Sequence, residues 1–245
     1  MDYLTFLIDQ KYIEKAEAEL DIYDFPSWID LREKLDSAIG QDALKSNKML
    51  ETKQWISLLE RKYKELSTSL VYCLAYHYYS VDNSLYCKNP SDPFYEPHLS
   101  FFLDTAAGRA FSLIEKLGQM LNVYLELGLS EGKGMGAKQV SFKEVIKKLD
   151  ISYKEKLAEL EKAVEDFEEL RHKHTHRFNP EHSRWKVNQS DQGKLNNEEK
   201  LVVFFGLDEN KLPIVPYKQI QVYKNFQVKL YKALKNIFSK MKAEL

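Results

Sequence analysis

The sequence predicts an all-α protein made of long amphipathic helices. Apolar residues recur at spacings of three and four along most of the chain, which is the periodicity of a helix with one buried face. Glycine and proline, which end helices, are scarce at nine and seven of 245 residues. A hydrophobic fraction of 44% beside 30% charged residues is typical of a soluble globular protein. A chain of this length can bury a sizeable core.

The first 40 residues predict two short helices that form an N-terminal helical extension. Apolar residues follow helical spacing through residues 3–21, and Pro26 then suits the first turn of a second helix. Gly40 is expected to end that helix. The main domain is then expected to span residues 43–245.

Two long helices are predicted over residues 43–80 and 98–128, joined by a loop rich in Asn and Pro. The apolar stripe of the first is Leu50, Ile56, Leu59, Tyr63, Leu66, Leu70, Cys73 and Leu74. The stripe of the second is Phe101, Phe102, Ala106, Ala110, Leu113, Ile114, Leu117, Leu121 and Leu125. Arg109 is either a surface charge or a group that faces a nucleic-acid cleft. His77 is expected to be a partly buried side chain, because no second metal ligand lies near it in the sequence.

Two capping boxes, Ser141 to Glu144 and Ser152 to Glu155, predict the start of a short helix and of a long one. The glycine-rich residues 130–139 lack the spacing of a phosphate-binding loop, and no Ser or Thr follows their lysines. We therefore expect an inter-helix linker there.

The last part of the chain predicts a small β-hairpin followed by a helix. Residues 201–205 and 212–216 are β-rich runs separated by turn-forming residues, and they are expected to pair as the hairpin. Residues 218–244 have helical spacing with lysines on the outer face.

Several classes of protein are disfavoured. Cys73 and Cys87 match neither a disulfide framework nor a zinc-ribbon pattern. The N-terminus has no basic leader, and the most apolar region, near residues 70–81, is too short to span a bilayer. We expect a cytoplasmic protein with no membrane association and no cofactor.

Positive charge is concentrated in two places although the formal net charge is −1. The segment from Lys218 to the end holds seven lysines and one acid, a local charge of +6. Residues 171–186 hold five basic residues and one acid, a local charge of +4. Either surface could bind a polyanion, and an ordinary solvated helix face is the alternative. The five basic residues are Arg171, Lys173, Arg177, Arg184 and Lys186.

The densest group of titratable residues lies at the end of the long helix that precedes Pro180. Three of the six histidines, His172, His174 and His176, fall within five residues. His172 and His176 are four apart and share a helix face, as two zinc ligands often do. A metal site is nevertheless disfavoured, because no third ligand is evident and the His-Glu-x-x-His arrangement is missing.

Arg171 and His176 form the alternative pair. RNA cleavage without a metal needs proton transfer and a cation that holds the phosphate, and His and Arg supply these. On one straight helix, residues five apart are separated by about 140° and about 7.5 Å along the axis. Either the helix is distorted before Pro180, or a second copy of the helix completes the site across a two-fold axis.

The motif Arg171-x-x-x-x-His176, at the end of a long helix in an all-α chain, resembles the signature of the HEPN superfamily. This resemblance implies a four-helix bundle of long antiparallel helices that dimerises, with both copies of the motif lining one cleft. It further implies a metal-independent endoribonuclease in which Arg171 holds the phosphate and His176 transfers a proton. His172 occupies the polar position after the Arg and is a third candidate catalytic residue.

The implied setting is a toxin–antitoxin or phage-defence system, with RNA as substrate and an antitoxin as a possible partner. Lys173, Arg177, Arg184 and Lys186 are the candidate RNA-binding residues around the motif. Phe178 stands where toxins silenced by adenylylation carry Tyr, so that form of regulation is not expected. Two alternatives are a non-catalytic HEPN-like module for RNA binding or protein interaction, and a helical scaffold with a surface histidine cluster.

Overall fold

The computed structural model describes residues 8–39, 43–82, 97–129, 140–176, 185–188, 204–207 and 216–245. For residues 167–176 and for both strands, it describes the backbone alone. Seven helices lie in this part of the chain, which makes the protein all-α as predicted. They are α1 (Gln10–Leu20), α2 (Ile29–Ala38), α3 (Ala43–Asp82), α4 (Pro97–Tyr124), α5 (Phe142–Lys148), α6 (Ile151–His176) and α7 (Pro216–Glu244).

The long helices α3, α4, α6 and α7 pack into a bundle. Helices α3 and α4 run antiparallel, because Lys48 pairs with Glu126 at one end while Tyr72 stacks on Phe102 near the other. Helices α6 and α7 also run antiparallel, as shown by contacts from Lys240 to Ser152 and from Lys229 to Glu159. Helix α7 is antiparallel to α3 as well, since Gln227 bonds to Ser67 and Tyr217 packs on His77. The C-termini of α3 and α6 and the N-termini of α4 and α7 therefore meet at one end, called here the motif end.

The predicted apolar stripes form the core between these helices. On α3 every member from Ile56 to Leu74 is buried, and on α4 those from Ala106 to Leu121 are buried. The prediction of burial is wrong for two residues. Leu50 is exposed, and Phe101 keeps 56% of its surface exposed. Their neighbours Met49 and Phe102 point inward instead, because only one side of each helix is covered at these positions.

Helices α1 and α2 pack against the bundle and add their buried residues to the same core. The Glu19 carboxylate of α1 accepts hydrogen bonds from Tyr217 at 2.8 Å and from Tyr78. Trp28, just before α2, donates its indole N–H to Glu60 at 3.1 Å. Helices α1 and α2 therefore contact both α3 and α7. The predicted boundary near residue 40, between an N-terminal extension and the main domain, stays a prediction.

The helix starts around α5 and α6 differ in how well the sequence predicted them. The capping box of Ser141 and Glu144 is present at the start of α5 and is confirmed. The second box is wrong, because Asp150 caps α6 by accepting the backbone N–H of Tyr153 at 3.0 Å. The Ser152 hydroxyl donates to the same Asp150 carboxylate. An Asp carries charge as well as an acceptor, so it suits the positive N-terminus of a helix.

The predicted hairpin of residues 201–205 and 212–216 is not seen in the described part of the chain. Two four-residue strands, β1 (Trp185–Asn188) and β2 (Phe204–Leu207), pair antiparallel there instead, with Trp185 opposite Leu207. Pro216, assigned to a strand by its sequence, begins α7, where its fixed φ suits the first helical turn. Residues 211–215 and the predicted loops at 83–96 and 130–139 lie outside the described residues.

A carboxylate fastens the bundle at the end opposite the motif end. The Glu244 side chain of α7 accepts hydrogen bonds from Tyr153 of α6 at 2.6 Å and from Tyr124 of α4 at 3.2 Å. Lys240 pairs with the same carboxylate at 3.2 Å. Burial first, and this carboxylate second, raise the pKa of the Tyr153 hydroxyl far above its ordinary value, so it stays a donor. This contact fixes the position of α6 relative to α7 along the helix axis.

Candidate functional site

Arg171, His172, Lys173 and His176 all lie on the last turns of α6, which remains α-helical to His176. Because α6 runs antiparallel to α7, these turns lie at the motif end of the bundle. Their side chains lie outside the described part of the structure. The backbone therefore brings four of the seven candidate residues onto one short stretch of helix.

The buried face of α6 sets the helical phase that reaches the motif. Tyr153, Leu157, Leu160 and Val164 are buried against the bundle, at spacings of four, three and four. Arg171 is seven residues beyond Val164 and so has nearly the same phase on the helix. A cation that continues an apolar stripe needs a partner or a cleft, since an unpaired buried charge is costly.

The regular helix limits how Arg171 and His176 can cooperate. Residues 171–176 are all α-helical, so no distortion of the helix lies between the two residues. Their positions are separated by about 140° around the axis and about 7.5 Å along it. Of the two arrangements left open by the sequence, a distorted helix is not seen within residues 171–176, and completion of the site by a second copy stays a prediction.

The other candidates are less fully described. Lys186 lies on β1, with only its backbone described, and Arg177 and Arg184 lie outside the described residues. Among the residues whose side chains are described, no group of three His, Cys, Asp or Glu could hold a metal ion. The side chains of the α6 histidines are not among those described, so the absence of such a group concerns the other residues alone.

The lysines of α7 mainly fasten the helix to its neighbours. Lys229 pairs with Glu159 of α6, and Lys242 pairs with Asp30 of α2. Lys224 donates to the backbone carbonyl of Glu19 at 3.0 Å, and Lys240 donates to the Ser152 hydroxyl of α6 at 2.6 Å. Four of the seven lysines therefore have structural contacts, which favours a structural face over a polyanion-binding one.

His77 is half-buried at the motif end, as expected from the sequence. Its ring packs against Tyr217 at 5.5 Å and Tyr78 at 5.9 Å. Burial lowers the pKa of His77, and nearby Lys15 lowers it further while Glu19 opposes them. His77 is therefore held neutral in the folded protein to lower pH than in the unfolded chain.

This shift predicts a pH-dependent contribution to stability. The unfolded chain takes up a proton at His77 near pH 6.5, before the folded chain does. The contribution is therefore fully present above that pH and is lost as the pH falls below it. We expect His77→Phe to flatten the rise in the free energy of unfolding between about pH 5 and pH 7. Urea unfolding across this range measures it, and equal slopes for both proteins would contradict the assignment.

Arg109 lies in a cleft between α3 and α4, where it contacts Glu65 at 2.8 Å. Arg61 and Lys64 of α3 line the same cleft, and neither was identified from the sequence. The sequence feature that could have indicated this cleft is the spacing of Phe101, Thr105 and Arg109. They are four residues apart and so share one face of α4.

None of the helices in the described ranges combines the length and the apolar character needed to cross a membrane.

Comparison with protein families gives one match of substantial length. A family model described as Cthe2314-like HEPN matches residues 55–242, which run from α3 to near the end of α7. Comparisons with curated proteins and with solved structures give no match.

Proposed function

Because this chain belongs to the Cthe2314-like HEPN family over residues 55–242, we propose that it is an endoribonuclease that works without a metal ion. HEPN domains often act as ribonucleases. The observation that carries the proposal is the position of Arg171 and His176 on the last turns of α6, within the matched region.

Each residue has a role in this proposal. A histidine removes the proton from the 2′-hydroxyl of RNA, and the 2′-oxygen attacks the adjacent phosphorus. The bond from phosphorus to the 5′-oxygen breaks, and a protonated group returns a proton to that oxygen. The products are a 2′,3′-cyclic phosphate and a 5′-hydroxyl end. Arg171 binds the phosphate oxygens as negative charge builds on them, and His176 carries a proton.

His172 follows Arg171 directly and is the second group that could carry a proton. Histidine is the side chain that ordinarily changes charge near neutral pH, so two histidines could supply the acid and the base. Lys173, Arg177, Arg184 and Lys186 would add the charge that attracts the RNA backbone. We propose a toxin–antitoxin or phage-defence setting by resemblance, in which an antitoxin would restrain the enzyme.

A homodimer is part of the proposal. The α-helical backbone of residues 171–176 supports it, because two side chains about 140° apart around one helix cannot easily meet one phosphate. In a two-fold dimer, Arg171 of one copy and His176 of the other could face the same phosphate.

The decisive experiment is cleavage of a mixed RNA pool by the purified full-length protein, with and without excess EDTA. We expect equal rates in both, with fragments that carry a 2′,3′-cyclic phosphate and a 5′-hydroxyl. Loss of cleavage in EDTA would contradict metal independence. Salt-sensitive RNA binding without any cleavage would identify a binding module instead.

A further inference from the structure

A cleft of about 530 Å³ lies between α3 and α4, away from the α6 motif. Its walls carry three cations, two carboxylates and four hydroxyl groups. They are Arg61, Lys64, Arg109, Glu60, Glu65, Ser57, Thr68, Ser69 and Thr105. The lining residues of α3 run from Ser57 to Ser69, a length of about 18 Å along the helix axis. The cleft is therefore an elongated groove rather than a pocket for one small molecule.

Positive charge is in excess in this groove. The Glu65 carboxylate alone contacts three cations, Arg109 at 2.8 Å, Lys62 at 2.8 Å and Arg61 at 3.1 Å. The hydrogen bond from Lys62 is the main cause that keeps the pKa of Glu65 below its usual range. Among the residues that line the groove, three cations stand against two carboxylates, so the lining carries a net charge of +1.

The cations remain accessible to a ligand. The side chain of Arg61 is 70% exposed, and that of Arg109 is 40% exposed. Lys64 is 68% exposed although it pairs with Glu60. A plain ion-pair network between two helices would need only one cation for each carboxylate. The groove has one cation more than it has carboxylates, and its exposed N–H groups are donors that a phosphate could use.

An exposed aromatic ring lies next along the same face. Phe101 precedes Thr105 and Arg109 at spacings of four, and the Thr105 hydroxyl bonds to the Phe101 carbonyl at 2.8 Å. Phe101 meets Phe102 edge to face at 5.3 Å, and Phe102 stacks on Tyr72 of α3 at 4.9 Å. The groove thus leads from its cations to an exposed ring at the motif end.

We propose that this groove binds single-stranded RNA outside the cleavage site, with Arg61, Lys64 and Arg109 on its phosphates and Phe101 stacked on a base. A charged groove combined with an aromatic ring is how proteins hold single strands without reading their sequence. The inference rests on the proposed function, because it takes the ligand to be the RNA that α6 cleaves. The groove then determines which part of a long RNA reaches the motif end.

The test measures binding of a fluorescein-labelled single-stranded RNA by anisotropy at several salt concentrations, in a His176→Ala background that prevents cleavage. We expect Lys64→Gln with Arg109→Gln to weaken binding and to lower the salt slope by about 1.4, for two lost phosphate contacts. Phe101→Ala should weaken binding roughly 5- to 100-fold and leave the salt slope unchanged. Its effect should disappear with duplex RNA, whose bases are already stacked.

Matched controls come from elsewhere on the same chain. Lys235→Gln removes an exposed α7 lysine, and Ile151→Ala truncates an apolar side chain that is 76% exposed at the opposite end. If the groove variants bind RNA like these controls, the groove proposal is overturned while the proposed function stands. If the protein with His176 intact cleaves no RNA and no variant binds it, both proposals fail together.

Discussion

Replacing either Arg171 or His176 by alanine should abolish RNA cleavage and leave the fold unchanged. A positioned proton-transfer group contributes about 10²- to 10⁴-fold to a rate. Loss of a group that stabilises charge in the transition state costs about 10²- to 10³-fold. Both residues lie on the last turns of α6, and alanine is the best helix former, so we expect neither substitution to disrupt the helix.

The measurement is the single-turnover rate on a labelled RNA, together with thermal unfolding of each variant. Lys162→Ala is the matched control, because it removes an exposed charge from an earlier part of the same helix. His172→Asn separates the two histidines, since it keeps a polar side chain but removes a titrating ring. Wild-type rates in both alanine variants would remove the motif from the reaction.

The helices were predictable because each buries a continuous apolar face. The stripe from Ile56 to Leu74 needed no knowledge of what packs against it, since burial on one side imposes the spacing. Leu50 and Phe101 show the limit of that pattern. Each fits the spacing of its stripe, yet whether a neighbouring helix covers it depends on the tertiary arrangement.

Pairing between distant segments was not predictable. The run at residues 201–205 was recognised as a strand, and part of it lies in β2, but its partner is β1. A local pattern indicates that a segment can be extended, whereas its partner depends on the whole chain. The ion pair of Arg109 with Glu65 was not predictable for the same reason. It joins two helices, and the spacing of residues within one helix does not say which residues of another helix it contacts.

The candidate site was predicted from the sequence for a different reason. Arg171 continues the apolar stripe of α6 with a group that is costly to bury, and several titratable residues follow it. Such a break in pattern marks function more often than stability. The structure added what spacing alone left open, a backbone that stays helical through the motif. Because the backbone is helical there, an experiment on mixed dimers can test whether a second copy completes the site.

Combining the two inactive variants in one dimer should restore cleavage. An Arg171→Ala chain keeps His176, and a His176→Ala chain keeps Arg171. If the pair acts across the two-fold axis, a dimer of one chain of each kind has one complete site and one site that lacks both groups. Purified through two different tags, this mixed dimer should cleave RNA at roughly half the wild-type rate.

The alternative geometry gives the opposite result. If Arg171 and His176 of one chain act together, every site in the mixed dimer lacks one group, and the dimer stays as inactive as its parents. Neither parent contaminates the measurement, because each homodimer alone is inactive and carries only one tag. A monomer in sedimentation at the assay concentration would equally contradict a shared site. Restored cleavage would show that the regular helix of residues 171–176 works only when a second copy supplies the missing partner.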